Sequence, residues 1–141
     1  LFDPLAFVTA CRDQLTPGGL LVLTCPNGLG FDVATLGEVA DTVTPEHLNY
    51  FNPQSLALLM QRGGLELLEV FTPGKLDAEI VRKKVLAGQF ALDGQPFLQR
   101  VLFDEWEQLG EPFQRFLADN GLSSHQWLVA RRPDISQEET R

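Results

Sequence analysis

The chain has 141 residues, of which 44% are hydrophobic, and its formal net charge is -8 at pH 7. This size suits a single domain with a substantial core, and the negative charge argues against non-specific binding to nucleic acid or to an anionic membrane. Two cysteines without metal-ligand spacing, and no signal-peptide or membrane-spanning pattern, predict a reduced, cytoplasmic protein. Because the chain begins with Leu1 directly before a helix signal, we expect it to be part of a longer protein.

The first predicted elements are a helix and an apolar strand. The helix begins at Asp3-Pro4, an N-cap residue followed by proline at the first helical position. The uncharged run Leu20–Cys25 lies between the turn residues Pro17-Gly18-Gly19 and Pro26-Asn27-Gly28. Such a run is typical of a strand buried on both faces of an α/β sheet, which requires helices on both sides. Since ligands bind beyond the carboxyl ends of such strands, residues 24–28 are the first candidate site.

The middle of the chain predicts two helices and a second strand. A short helix lies within Leu29–Thr44, and a longer one begins at Asn52-Pro53 and ends at Gly63-Gly64. The strand Leu65–Phe71 follows. A strand, helix, strand crossover is right-handed and makes its two strands parallel, so we expect the first two strands to be parallel.

The rest of the chain is mainly helical and ends in one more strand. Residues 75–121 contain no strand pattern and predict three helices. Ser124–Arg131 predicts the last strand, and residues 133–141 predict a flexible polar tail. Both tryptophans, Trp106 and Trp127, are predicted to lie in the core.

Several common sequence motifs for cofactor, metal and catalytic sites are incomplete or missing in this sequence. The glycines that begin at Gly28 lack the further glycine of a dinucleotide fingerprint, since Val33 stands in its place. Thr72-Pro73-Gly74-Lys75 lacks the spacing of a phosphate loop and is interpreted as a turn. The chain contains no nucleophile elbow, and its two histidines have no partner at zinc spacing.

Three segments together resemble class I S-adenosylmethionine-dependent methyltransferases. Asp3-Pro4 with Leu15–Asn27 resembles the region around the fifth strand of that family. Glu46–Glu66 is similar to the helix and sixth strand that follow, and Ser124–Arg132 resembles the final strand. The resemblance implies that residues 1–141 are the carboxyl-terminal part of one methyltransferase domain, with residues 75–121 as a helical insert.

The resemblance also implies a strand order. The expected fold is a partial Rossmann-like α/β sheet of three strands, with the last strand antiparallel between the first two, helices on both faces and the helical insert. The first strand would then have an unpaired apolar edge. This edge, or the helical insert, is the surface through which a homodimer would form.

The cofactor implied by the family is S-adenosyl-L-methionine. The glycine-rich loop and the ribose-binding acid of the family are not found in these residues, so the cofactor would be bound mainly by residues upstream of this chain. We therefore expect residues 1–141 alone to have negligible cofactor affinity and no activity.

Methyl transfer to a hydroxyl or amine requires removal of a proton. His47 is the only histidine expected near the predicted strand ends, and it is therefore the candidate base. Asn27, Glu46, Asn49 and Tyr50 are candidates for contacts with a small-molecule acceptor. Structural alternatives remain for most of them. His47 would cap a loop or fill a polar position in the core, and Asn27 would satisfy its own turn. Tyr50 would pack against the following helix, and Glu46 would be a solvated carboxylate.

Three functions stay open. The favoured one is a methyltransferase, the second is a non-catalytic module whose helices bind a partner or dimerise, and the third is another nucleotide-using α/β enzyme, such as a sugar-modifying oxidoreductase.

Overall fold

The computed structural model describes residues 1–134, so the predicted tail lies almost entirely outside the described residues. Three strands run over β1 Leu20–Pro26, β2 Glu66–Phe71 and β3 His125–Arg131. The α-helices within residues 1–134 are α1 Pro4–Gln14, α2 Phe31–Leu36, α3 Pro53–Arg62, α4 Asp77–Leu86, α5 Pro96–Gln99 and α6 Trp106–Asp119. A 3-10 turn, Gly37–Val39, extends α2, and a π-helical turn, Arg100–Asp104, follows α5. Within this range, no helix combines the length and apolar character needed to cross a membrane.

The strands form one sheet in the order β1-β3-β2, and β3 is antiparallel to both neighbours. Val129 of β3 lies opposite Val22 of β1 and Glu69 of β2, and a register shift occurs between Leu67 and Glu69. Because β1 and β2 are both antiparallel to β3, they are parallel to each other. The predicted α/β class, the strand order and the parallel relation of β1 and β2 are confirmed.

Two helices begin at the residues that the sequence predicts. The Asp3 carboxylate accepts from the backbone N–H of Ala6 at 2.9 Å, and proline occupies the first turn of α1. At α3, Asn52 and Ser55 form a reciprocal capping box, with two side-chain-to-backbone bonds of 2.9 Å. Each cap satisfies backbone donors that have no partner within the helix.

The first core lies between one face of the sheet and the helices α1 and α3. Its fully buried residues are Val8, Leu56, Met60, Leu65, Leu128 and Ala130. Leu21, Leu23 and Cys25 of β1 pack against this core because alternate residues of a strand point to the same face.

The opposite face of the sheet is largely uncovered by the described residues. Leu20 is 55% exposed and Val22 53%, so the prediction that β1 is buried on both faces is wrong. Trp127, which stacks on Phe71 of β2 at 6.2 Å, is 41% exposed on this same face, so its predicted core position is also wrong. The physical reason is that both adjoining helices, α1 and α3, pack on the inner face.

The second core belongs to the helices, and its buried residues are Leu36, Ala40, Ala78, Val81, Val101 and Leu102. Trp106 packs against this core. Arg82 joins the helices, because its Nε donates to the Leu102 carbonyl at 2.9 Å and its guanidinium lies 5.1 Å from the Trp106 ring. The helical layer therefore consists of the segment 75–121 together with α2, which precedes β2 in the chain.

Candidate functional site

A cleft lies at the edge of the sheet where β1 and β2 end and β3 begins. Its volume is about 400 Å³. We call it the edge cleft, and it is lined by Asp32, Asp41, Thr42, residues 73–77, Ile80, Ser124 and His125. The lining thus combines α2, the loop after it, the start of α4 and the start of β3. This is the position at which α/β sheets bind ligands.

Asp77 organises one wall of the edge cleft. Its side chain is 2% exposed and accepts from the backbone N–H and the hydroxyl of Ser124. Gln114 of α6 donates its amide N–H to Asp77 and to the Gly74 carbonyl, the latter at 3.0 Å, and accepts from the backbone N–H of Ala78 at 2.9 Å. These bonds fix the beginning of α4 against both β3 and α6.

Asp32 lies on the other wall and has a different environment. It is also 2% exposed, but its Oδ1 is buried and has no hydrogen-bond partner among the described residues. Burial raises the pKa of the Asp32 carboxyl, and the nearby negative charge of Asp77 adds to this. The Ser124 hydroxyl acts in the opposite direction on this pKa, but in this structure it donates its hydrogen bond to Asp77 and leaves Asp32 Oδ1 without a partner within residues 1–134.

The sequence analysis missed both buried acids, although a signal was present. Asp32 and Leu36 are four residues apart and both buried, as are Asp77 and Val81. Residues at this spacing share one face of a helix. An acidic residue at a position that falls on the apolar face of a helix therefore indicates a buried carboxylate.

Replacing Asp32 by asparagine is expected to raise the free energy of unfolding at pH 7 by about 1 kcal/mol. Because the pKa of Asp32 is raised in the folded state, the folded protein holds a proton over a pH window in which the unfolded chain has lost it. The contribution of Asp32 to stability therefore falls as the pH rises through that window. Urea unfolding of both proteins from pH 4 to pH 8 tests this.

The difference between wild type and Asp32→Asn should shrink toward the acid end of that series. Glu38→Gln removes the same charge from an exposed position on the neighbouring turn and serves as the control. A less stable Asp32→Asn protein at pH 7 would show that the charged carboxylate is compensated.

His47 is held in a defined orientation by the loop that follows α2. Its Nδ1 lies 2.8 Å from the Thr42 carbonyl oxygen and 3.2 Å from the Thr44 hydroxyl. A carbonyl oxygen can only accept, so Nδ1 carries the proton in the neutral ring and Nε2 carries the lone pair. Nε2 makes no side-chain hydrogen bond within residues 1–134.

The Thr42 carbonyl also accepts a hydrogen bond from the Tyr50 hydroxyl at 3.0 Å, and the centroids of the His47 and Tyr50 rings are 6.3 Å apart. The structure thus brings together two of the predicted site residues, His47 and Tyr50, around Thr42, which itself lines the edge cleft. This loop is tied to the turn after β1, because the Gly28 N–H donates to the Phe51 carbonyl at 2.8 Å. A Cβ at Gly28 would lie 2.8 Å from the Tyr50 carbonyl oxygen, so this approach requires glycine.

A second histidine lies at the same edge. His125 is the first residue of β3, is exposed and lines the edge cleft. The premise that His47 alone lies near the strand ends is therefore wrong. The ring of His125 makes no hydrogen bond among the described residues that would fix its tautomer.

Asn27 is fully buried, and its contacts are internal. Its amide N–H groups donate to the carbonyls of Gly121 and Ser123, both at 2.9 Å, and its oxygen accepts from the Leu29 N–H at 3.0 Å. The last bond is the turn contact that the sequence left open as an alternative. The side chain thus joins the turn after β1 to the segment before β3, and this arrangement offers no support for a contact with an acceptor.

The other two predicted contact residues lie at the surface of the same loop. Glu46 is exposed and forms no ion pair within residues 1–134. Asn49 is half-buried and donates its amide N–H to the Leu1 carbonyl at 2.6 Å. Acceptor contacts by Glu46, Asn49 and Tyr50 stay predictions.

Neither cysteine chemistry nor a metal centre is indicated at this edge. Burial raises the pKa of the Cys25 thiol, against the effect of its 3.4 Å contact with the Gln126 amide, so Cys25 is an uncharged thiol at neutral pH. In the part of the chain that the structure describes, no group of three or more histidine, cysteine, aspartate or glutamate side chains is placed to hold a metal ion.

Comparisons with known proteins find a curated relative in sequence and several neighbours among solved structures, of which one is described below. A ubiquinone biosynthesis O-methyltransferase from Dinoroseobacter shibae is 33% identical over 84 residues, which cover 50% of this chain and 33% of that protein. A structure described as a sarcosine dimethylglycine methyltransferase from Galdieria sulphuraria matches 94% of this chain and 48% of its own, with 18% identity and a TM-score of 0.48. No family model matches the chain. The chain thus spans about a third of the length of the curated relative.

Proposed function

We propose, from the confirmed resemblance of this chain to class I S-adenosylmethionine-dependent methyltransferases, that it is the acceptor-binding part of such an enzyme acting on a small molecule. The observation that supports this most is the strand order. The antiparallel insertion of β3 between β1 and β2 is an unusual arrangement for a parallel α/β sheet, and the resemblance implied it. The edge cleft lies at the carboxyl ends of β1 and β2, where an acceptor would bind.

The side chains at the carboxyl end of β1 give no support for cofactor binding by this chain itself. At the end of β1, Asn27 uses its amide internally and Cys25 is uncharged, so neither offers a free group to a ribose or a carboxylate. The cofactor, when bound elsewhere in the enzyme, supplies the electrophilic methyl group. We therefore assign to this chain only acceptor binding and proton removal.

His47 is the proposed base. Its Nδ1–H is engaged by the Thr42 carbonyl, which leaves the Nε2 lone pair to accept a proton from a hydroxyl or amine of the acceptor. Thr42 connects the His47 ring to the edge cleft, because the Thr42 carbonyl orients His47 and Thr42 also lines the cleft.

A non-catalytic dimerisation module is the second candidate. It is favoured by the exposed apolar side chains of β1, Leu20 and Val22, which lie on a strand that pairs on one side only within the described sheet. An edge of this kind is suited to pairing with a second copy of the chain.

Calorimetric titration with S-adenosylmethionine and with NAD, on the longer protein and on residues 1–141, distinguishes these functions. We expect the longer protein to bind S-adenosylmethionine and not NAD, and residues 1–141 to bind neither measurably. Binding of NAD alone would replace the proposal with an oxidoreductase. If the longer protein binds neither ligand, the non-catalytic module is supported. Tight binding of S-adenosylmethionine to residues 1–141 would overturn the division of roles between the two parts.

A further inference from the structure

Asp32 is not explained by the fold or by the proposed base. Asp77 satisfies its buried carboxylate with Ser124 and Gln114, and these bonds hold three elements together. Asp32 is equally buried, lines the same cleft and leaves Oδ1 without a partner among the described residues. A buried carboxylate oxygen without a partner is costly, so its presence in a cleft points to a ligand.

The surrounding charges leave this carboxylate uncompensated. The third acid of the edge cleft, Asp41, is paired with Lys84 at 2.5 Å, and its side chain is largely exposed. Lys75 also lines the edge cleft, but it forms no ion pair with Asp32 or Asp77. Two buried carboxylates therefore face the cleft with no cation paired to either.

A metal ion is not favoured as the compensating charge, because no group of three or more histidine, cysteine, aspartate or glutamate side chains within residues 1–134 is placed to hold one. A hydroxyl group would donate a hydrogen bond to Asp32 but leave the charge of both carboxylates in place. An ammonium group donates up to three hydrogen bonds and neutralises charge at the same time. The buried Thr42 hydroxyl, which also has no partner among the described residues, lines the same cleft and offers a further acceptor.

We infer that the edge cleft binds an organic cation, a protonated amino group of a small molecule, with the Asp32 carboxylate as its anchor. This inference rests on the proposed function in taking that molecule to be the methyl acceptor. The cleft volume of about 400 Å³ lies within the usual range for small-molecule sites. The raised pKa of Asp32 agrees with it, since a carboxylate that is unfavourably buried without a ligand gains most from a bound cation.

The test is a nitrogen-15 NMR titration of the 141-residue chain at pH 7 and constant ionic strength. The probes are cyclohexylammonium chloride and cyclohexanol, which share a carbon ring and differ in charge. We expect saturable shifts with the ammonium probe at the backbone amides of Gly74, Lys75 and Ser124, which line the edge cleft. The alcohol should bind at least about tenfold more weakly.

Asp32→Asn should weaken binding of the ammonium probe at least about fivefold. The control is Glu38→Gln, which makes the same change in net charge at an exposed position outside the cleft lining. It should alter the affinity for the ammonium probe by less than about twofold. Thermal unfolding of Asp32→Asn shows whether the variant is folded. Equal binding of alcohol and ammonium, or unchanged binding to folded Asp32→Asn, would overturn the inference. If Asp32→Asn does not fold, Asp32→Glu keeps the charge but displaces it, and unchanged affinity would contradict an anchoring role.

The result is independent of catalysis, because the titration needs neither cofactor nor turnover. If the protein binds ammonium in the edge cleft but does not bind S-adenosylmethionine, the proposed methyl transfer is contradicted and the cation site is supported. If the protein is a methyltransferase but its edge cleft does not bind ammonium, the cation site is contradicted and the proposed function is supported.

Discussion

Replacement of His47 by alanine is expected to lower the turnover of the proposed methyl transfer about 100-fold, measured in the longer protein that we expect to contain this chain, with the affinity for S-adenosylmethionine unchanged. The reason is the orientation of the ring. The 2.8 Å contact of Nδ1 with the Thr42 carbonyl places the lone pair on Nε2, so alanine removes the proposed base, which is held in the tautomer that proton removal would need. Single-turnover kinetics with a saturating acceptor, together with calorimetry of cofactor binding, measures the two quantities separately.

Two variants distinguish a base from a residue that only supports the loop. Tyr50→Phe removes the other donor to the Thr42 carbonyl and should change turnover by less than about threefold, because the phenol orients the loop without taking a proton. Added imidazole should partly restore His47→Ala, which a structural defect would not permit.

His125→Ala tests whether His125 rather than His47 is the base, since His125 lines the edge cleft. A larger loss of turnover in His125→Ala than in His47→Ala would transfer the role to His125. An unchanged rate in His47→Ala would restrict His47 to the structure of the loop.

Replacement of Asn27 by alanine is expected to lower the free energy of unfolding by about 3 kcal/mol. The side chain makes three hydrogen bonds in a fully buried position. Its removal leaves the carbonyls of Gly121 and Ser123 and the N–H of Leu29 without these partners, and it separates the turn after β1 from the segment that leads into β3. Urea unfolding at pH 7 measures the loss.

Asn27→Asp distinguishes hydrogen bonding from loss of packing. It keeps the shape and the acceptor for Leu29 but places an anion against two carbonyl oxygens, so it should cost at least as much as alanine at pH 7. Asn49→Ala is the matched control, because Asn49 makes one side-chain hydrogen bond, at the Leu1 carbonyl near the chain start, and should cost less than about 1 kcal/mol. A loss of similar size in both alanine variants would contradict a special structural role for Asn27.

The local determinants of the fold could be predicted because neighbouring residues carry them. Asp3-Pro4 and Asn52-Pro53 begin helices through side-chain bonds that span three residues. The strand order came from the resemblance of three separated segments, and the structure confirms it.

The candidate site was predicted less well, because its chemistry depends on contacts between distant residues. His47 and Tyr50 meet at Thr42, only a few residues away, and the sequence placed them in one loop. Asp32 and Asp77 are 45 residues apart and come together only when α2 and α4 pack in the same helical layer.

The sequence by itself determined where α1, α3 and the three strands begin, to within about one residue, because caps, turns and apolar periodicity act within a few residues. Only the tertiary structure decided what covers each face. The run Leu20–Cys25 is apolar along its whole length, yet α1 and α3 both pack on one side and leave Leu20 and Val22 exposed. In the same way, the tertiary structure buried Asp32 and gave its carboxylate no partner, because the depth of a side chain depends on segments that lie far from it in the chain.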